Sequence, residues 1–295
     1  MIRDAVDLVP LLCGHYLRIG FDRLVFVDDH STDGTREALQ AMARAEPGVV
    51  VRRSADPVFR QARVMNGIAN EAIADGFGIV FPFDADEFWD VDAGRIRAAA
   101  ARPGVFVGHW VHFVQDRTVT ASNREDLPRA RHRAPVLEGT AAETVARYER
   151  SFLCHTMTKV GFRADGPVDI IFGQHSLLGG PSEVLADGLD VFHVPLRSAD
   201  AMRRRAEQAA RVLELAGPGE NWQARFFAAA MAEGRLEAAW AANSASPDGF
   251  IDLPGARVPL VPDERLGALL GKAIAYMERR HPRELAAMPK ISSPR

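Results

Sequence analysis

Phe81-Pro82-Phe83-Asp84-Ala85-Asp86-Glu87-Phe88-Trp89 is the stretch that decides how this chain of 295 residues reads. Just upstream, Gly78-Ile79-Val80-Phe81 has the length and apolar character of a buried strand. The run ends in three carboxylates, Asp84, Asp86 and Glu87. On an extended strand Asp84 and Asp86 project to one face. Like charges gathered there repel, and burying them is costly unless a cation joins them. A hard divalent ion with oxygen ligands meets that need, and its open positions can hold phosphate oxygens. An isolated Asp-x-Asp is more often a solvated turn. Here the rings of Phe81, Phe83, Phe88 and Trp89 argue for a sheltered one.

Outward from that stretch, apolar residues at helical intervals predict helices over residues 4–19, ended by Gly20, over 35–45 and over 62–75. Between them, residues 23–27 and 49–51 read as short buried strands. Asp33 or Thr32 is placed to cap the helix at 35, and Gly34 permits a tight turn. Strand and helix alternating at this spacing predict a mostly parallel α/β sheet, whose ligands bind beyond the carboxyl ends of the strands. The loops at 28–35 and 84–90 both occupy such ends.

A formal net charge of −3 argues against a nucleic-acid partner held by bulk electrostatics. Cys13 and Cys154 have neither metal-ligand spacing nor a disulfide framework, so a reducing cytoplasm is the expectation. No apolar stretch reaches the ~20 residues that span a bilayer. Contact with a membrane, if any, is peripheral.

The loop Val27-Asp28-Asp29-His30-Ser31-Thr32-Asp33-Gly34-Thr35 resembles the nucleotide loop of family-2-type glycosyltransferases. Ala62-Arg63 through Asn66-Gly67-Ile68 resembles a second segment of that family, and Phe83-Asp84-Ala85-Asp86-Glu87-Phe88 its metal motif. The Glu87-Phe88 ending, with His15-Tyr16-Leu17 upstream, is similar to a subgroup carrying Asp-x-Asp-Glu-Phe. The resemblance implies a GT-A fold, a Rossmann-like sheet flanked by helices, over residues 1–198, with a helical C-terminal extension over 199–295. It implies transfer of a sugar from a nucleotide-sugar to a glycan, lipid-linked or small-molecule acceptor, with Mn²⁺ or Mg²⁺ as cofactor. Asp28 or Asp29 would meet base or ribose, and Arg63 and Asn66 the nucleotide and diphosphate. Asp86, with Asp84 or Glu87, would meet ribose and metal, and His193 would complete the metal shell. The family's opening strand is reduced here to Met1-Ile2, and Arg3-Asp4 stands where the family usually has Asn-Glu. A module that binds carbohydrate or a partner without turnover is therefore a second reading. Phe81 through Asp86 also resembles the aspartyl-nucleophile motif of haloacid-dehalogenase-type phosphatases, with Phe88 in place of the expected Thr or Val.

Farther along, residues 105–113 predict a strand lining the acceptor side, residues 116–150 a loop with a short helix, and 159–163 a strand presenting Lys159 and Arg163. Those cations could neutralise a leaving diphosphate, although exposed strand cations are common. Asp165 and Asp169 are the weak candidates for a catalytic base, with nothing local to distinguish them. His175 reads as acceptor-side or structural. Residues 191–195 form a last strand, and helices follow at 199–216, 221–242 and 263–280. Arg203-Arg204-Arg205 reads as a solvated helix face, Trp222, Phe226 and Phe227 as core, and 282–295 as a frayed tail.

Overall fold

The computed structural model describes residues 1–55, 61–135, 157–216, 222–253 and 255–289. The chain divides into two compact units, one built from residues 1–111, 157–193 and 271–289, the other from 112–156, 194–270 and 290–295.

The first unit opens as the sequence predicts: α1 (Val9–Arg18), β1 (Leu24–Asp28), α2 (Thr35–Ala45), β2 (Val49–Arg53) and α3 (Gln61–Ala74). α1 starts later than residue 4 because Pro10 sits in its first turn, where a missing N–H is harmless. Gly20, at φ 96°, lets the chain turn out of it. Gly34 takes the N-cap place of α2 at φ 96°, while the Asp33 carboxylate accepts the Thr35 N–H at 2.9 Å.

The sheet departs from expectation. Parallel pairing is seen between β1 and β2, Leu24 to Asp28 against Val49 to Arg53, and in a bridge between Ile2 and Asp28. The larger sheet is antiparallel: β3 (Ile79–Val80) pairs with β7 (Thr158–Arg163), β7 with β5 (Gly104–Val114), and β10 (Val184–His193) with β4 (Glu87–Trp89). A mostly parallel sheet is thus corrected to α/β with a mainly antiparallel one. The expected strand at 78–83 stops at Val80 because Pro82 has no N–H for a ladder. α4 (Ala93–Ala99) is capped by Asp92, whose carboxylate takes the Arg95 N–H at 2.8 Å. Two glycines make room for rings: a Cβ on Gly108 would lie 2.4 Å from Trp89, and one on Gly161 2.5 Å from Phe81. Phe81 and Trp89 meet edge to face at 4.9 Å, with Phe106 at 5.4 Å from Phe81.

The second unit holds β6 (His132–Arg133), paired with the end of β5 and with β13 (Val261–Pro262). Its helices are α5 (Ala199–Ala216), α6 (Trp222–Ala232) and α7 (Leu236–Ala241). One helix was expected over 221–242, but Gly234, at φ 65°, breaks it in two. Phe227, Met202, Ala206 and Trp240 pack together there, in keeping with a core role for Phe227. The C-terminal part is not purely helical, since β11 (Phe250–Leu253) and β12 (Ala256–Pro259) form a hairpin after the break at 247–249. α8 (Arg265–Arg280) follows, and in residues 271–289, which belong to the first unit, the expected frayed tail instead begins with α9 (Pro282–Ala287), which buries Leu285. Of the polar segment at 116–150, residues 127–129 form a 3-10 turn, and 136–150 lie outside the described residues, as does Cys154.

Candidate functional site

The acidic stretch is a turn rather than a strand end: the Glu87 N–H donates to the Asp84 carbonyl at 3.1 Å, and pairing resumes only at β4. Asp84 and Asp86 therefore do not share a strand face. Asp84 and Glu87 turn instead to Lys159 of β7. The Lys159 ammonium, with a fully buried side chain, lies 2.8 Å from Asp84 Oδ2 and 2.9 Å from Glu87 Oε1. It also donates to the Gly173 carbonyl at 2.7 Å. The expectation of an exposed strand cation is corrected on this point. Its neighbour Arg163 pairs with Asp165.

This cation answers the repulsion that the sequence posed. Burial works against the Lys159 charge, but the Asp84 and Glu87 carboxylates outweigh it and hold the ammonium well above its usual value. Burial likewise disfavours a charged Asp84, yet Lys159 keeps its carboxyl below the ordinary range. Burial pushes Glu87 up, with Lys159 opposing. Gln61 Nε2 and Gln174 Nε2 also donate to Asp84 Oδ1, and Trp110 Nε1 donates to Glu87 Oε1 at 2.8 Å. Gly173 and Gln174 both have positive φ, 74° and 58°, which turns one carbonyl and one carboxamide onto the charge cluster. Strain of that kind at a buried non-glycine residue is characteristic of functional sites.

Asp86 points elsewhere. Its Oδ2 lies 3.7 Å from His193 Nε2, and that imidazole stacks on Trp110 with centroids 4.4 Å apart. The antiparallel register sets this up by placing His193 opposite Glu87. Both side chains keep some access to solvent, 19% for Asp86 and 11% for His193. A carboxylate and an imidazole are competent ligands for a divalent ion that draws its remaining shell from water and phosphate. Among the described residues, no three His, Cys, Asp or Glu side chains converge as a metal centre. Two carboxylates, Asp84 and Glu87, face the one buried ammonium, and Asp86 stands apart beside His193.

The 28–35 loop is braced by the chain's first residues. Asp28 is buried and its Oδ1 accepts the Ser31 N–H at 3.2 Å. Arg3 lies 3.5 Å from the buried Asp29 carboxylate, and Asp4 Oδ1 accepts the Thr32 N–H at 2.8 Å. The two acidic loops meet at one end of the unit. Phe26 and Phe83 lie 6.1 Å apart, and the buried Met1 amine, whose pKa burial lowers, feels the opposing charges of both Asp84 and Asp29.

The remaining expected residues are dispersed. Arg63 is exposed on α3. Asn66 is bracketed to the Ile170 peptide, donating to its carbonyl at 2.9 Å and accepting its N–H at 2.7 Å. Asn70, one turn on, does the same with Val168. Asp165 is tied to Arg163, and Asp169 is exposed at the start of β8 (Asp169–Ile170). His175 holds the Thr158 carbonyl at 2.6 Å, and burial lowers its pKa. Sequence reading missed Gln61, Asn70 and Trp110, and met Gln174 only within Gly173-Gln174-His175, a weak extension of the resemblance. Only Asn66 and Asn70 carried a local signal, as two amides four residues apart on one helix face.

Residues 17–159, just under half the chain, match the family model described as Glycosyl transferase family 2. The segments 28–35, 62–68 and 83–88, on which the resemblance was drawn, all lie inside that match. No curated protein matches. The crystal structure of HddC from Yersinia pseudotuberculosis is similar at 11% identity, over 64% of this chain and 80% of that one, with a TM-score of 0.34. An overlap that slight does not inform the fold. Among the described residues no helix is long and apolar enough to cross a membrane.

Proposed function

We propose that this protein is a glycosyltransferase that moves a sugar from a nucleoside-diphosphate sugar to an acceptor hydroxyl, on a GT-A type of fold. The observation that carries the reading is the meeting of the two acidic loops, Asp28-Asp29 and Asp84 to Glu87, at one end of the first unit, within the stretch matched by the family 2 model. Asp28 and Asp29 take the base or ribose. Asp86 and His193 would hold Mn²⁺ or Mg²⁺, which would supply positive charge to a departing diphosphate. Lys159 holds Asp84 and Glu87 in place, so that the turn presents Asp86 in one orientation. With the donor diphosphate so placed, the acceptor attacks the anomeric carbon in one inverting displacement.

One observation favours a second reading, a module that binds without turnover: Lys159 already satisfies two of the three carboxylates. A single titration separates the two. UDP- and GDP-sugars are added to the protein with Mn²⁺ or with chelator, and both binding heat and release of free nucleoside diphosphate are followed. The transferase reading expects metal-enhanced binding with slow nucleotide release, and Asp86→Asn abolishes the metal effect. Binding without release supports the module. No binding of any donor overturns the transferase reading.

A further inference from the structure

A displacement at the anomeric carbon frees the proton of the acceptor hydroxyl, and a side chain within hydrogen-bond reach has to take it. The carboxylates around the turn are already committed. Asp84 and Glu87 are held by Lys159, Asp86 stands beside His193, and Asp165 is tied to Arg163. Asp169 is exposed on β8, which pairs outside the larger sheet.

His175 is placed differently. It follows Gly173 and Gln174, whose carbonyl and carboxamide meet Lys159 and Asp84. Its ring meets Trp110 edge to face with centroids 5.4 Å apart, and Trp110 in turn stacks on His193 at 4.4 Å. One indole therefore separates His175 from the Asp86–His193 pair. A double clasp with Thr158 fixes the imidazole: Nδ1 lies 2.6 Å from the Thr158 carbonyl, and the Thr158 hydroxyl donates to the His175 carbonyl at 3.2 Å. A carbonyl only accepts, so Nδ1 carries the proton and Nε2 keeps a bare lone pair. Among the described residues Nε2 has no hydrogen-bond partner. Burial lowers the pKa of this half-buried ring, so it is neutral at neutral pH, as a base must be. The space against Nε2 is kept clear by the glycine at 173, where a Cβ would lie 2.6 Å from Nε2 and 2.7 Å from Cδ2. At φ 74° the backbone there favours glycine as well.

We propose that His175 Nε2 is the general base of the transfer, an inference that rests on the transferase reading. Nε2 takes the proton of the acceptor hydroxyl as its oxygen bonds to the anomeric carbon. The bond from that carbon to the diphosphate oxygen breaks, and its electron pair leaves on the nucleoside diphosphate. The imidazolium keeps its Nδ1–H on the Thr158 carbonyl. Asp84 favours its charge while Lys159 and His193 oppose it, and the proton then passes to water.

The test takes water as the acceptor. Nucleoside diphosphate released from UDP- and GDP-sugars with Mn²⁺ is followed together with binding heat, for the parent and for His175→Asn, whose carboxamide can still donate to Thr158. Release is expected to fall about hundredfold or more with donor affinity unchanged. Added imidazole is expected to restore part of the rate to His175→Ala and to leave the parent as it was, a rescue that a purely structural role does not give. Equal release by parent and His175→Asn would overturn the proposal and leave the transferase reading standing. A parent that binds donors without release, or binds none, would remove that reading and the proposal together. If the variants do not fold, nitrogen NMR of the histidine-labelled parent decides: a bare Nε2 at His175 is expected, and a proton on that atom in the neutral ring would overturn the proposal.

Discussion

Two ionic networks of similar composition sit in the two units and do different things. In the first, Lys159 is fully buried between Asp84 and Glu87. In the second, Arg257 reaches Asp252 at 2.9 Å and Asp248 at 2.9 Å from a side chain that is 52% exposed. Contact distances are alike, but water stands behind one set and not the other. A buried charge that loses its partner has nowhere to turn, whereas an exposed one is resolvated. The first network is therefore part of what allows its turn to exist, and the second decorates a hairpin that Ile251, Leu253 and Val258 already hold by burial.

Lys159→Met breaks the comparison where the effect is largest. It leaves Asp84 and Glu87 facing each other, and the expected loss is about 3–5 kcal/mol in denaturant unfolding. Mn²⁺ or Mg²⁺ should restore part of that stability if the freed carboxylates accept a metal, and Na⁺ at equal ionic strength should not. A variant as stable as the parent would mean that Lys159 is not the counter-ion of this turn.

His15 sharpens the same contrast through pH. Its ring is buried and meets the Trp89 carbonyl at 2.9 Å through Nε2, which must therefore carry the proton, while Nδ1 has no partner. Burial lowers its pKa from 6.5 to about 4. The unfolded chain takes up a proton that the folded chain refuses, so stability is complete above pH 6.5 and is lost as pH falls toward 4. The loss accumulates to about 3 kcal/mol. Asp84, with its lowered pKa, contributes stability that is lost only at still lower pH, so the two windows are separable. Melting temperatures between pH 7.5 and 4.5 should fall more steeply for the parent than for His15→Gln, which keeps a donor for Trp89 but cannot titrate. Parallel curves would count against this role.

What the sequence disclosed follows the range of each interaction. The α2 boundaries at 35 and 45 were readable because Asp33, Gly34 and the apolar period all act within a turn or two. The sheltered character of the acidic stretch was readable from its four flanking rings. Its geometry was not, since the residues that shape it come from far along the chain: Lys159 lies 75 residues from Asp84, and Gln174 lies 90. The same limit misled the reading of the sheet. The spacing of β1, α2 and β2 signals a parallel pair correctly. It says nothing of β3, whose partner arrives from residues 162–163 running the other way. Pro82 was visible as a break in the ladder, yet it was read inside a strand, and with it went the shared face assumed for Asp84 and Asp86.

Arg257→Ala is the quiet end of the comparison. The guanidinium lies 4.4 Å over the Phe250 ring as well as beside its two carboxylates, so truncation removes several contacts at once. Every group it leaves behind is open to water, and Asp252 retains Arg117 Nη1 at 2.6 Å. Arg117 is the better anchored of the two arginines, because it also donates to the carbonyls of Ala241 at 2.9 Å and Ser244 at 3.2 Å. The melting temperature of Arg257→Ala should stay within error of the parent at moderate salt, and any shift seen at low salt should vanish as salt is raised. A loss comparable to that of Lys159→Met, and insensitive to salt, would show that exposure is not what separates the two networks.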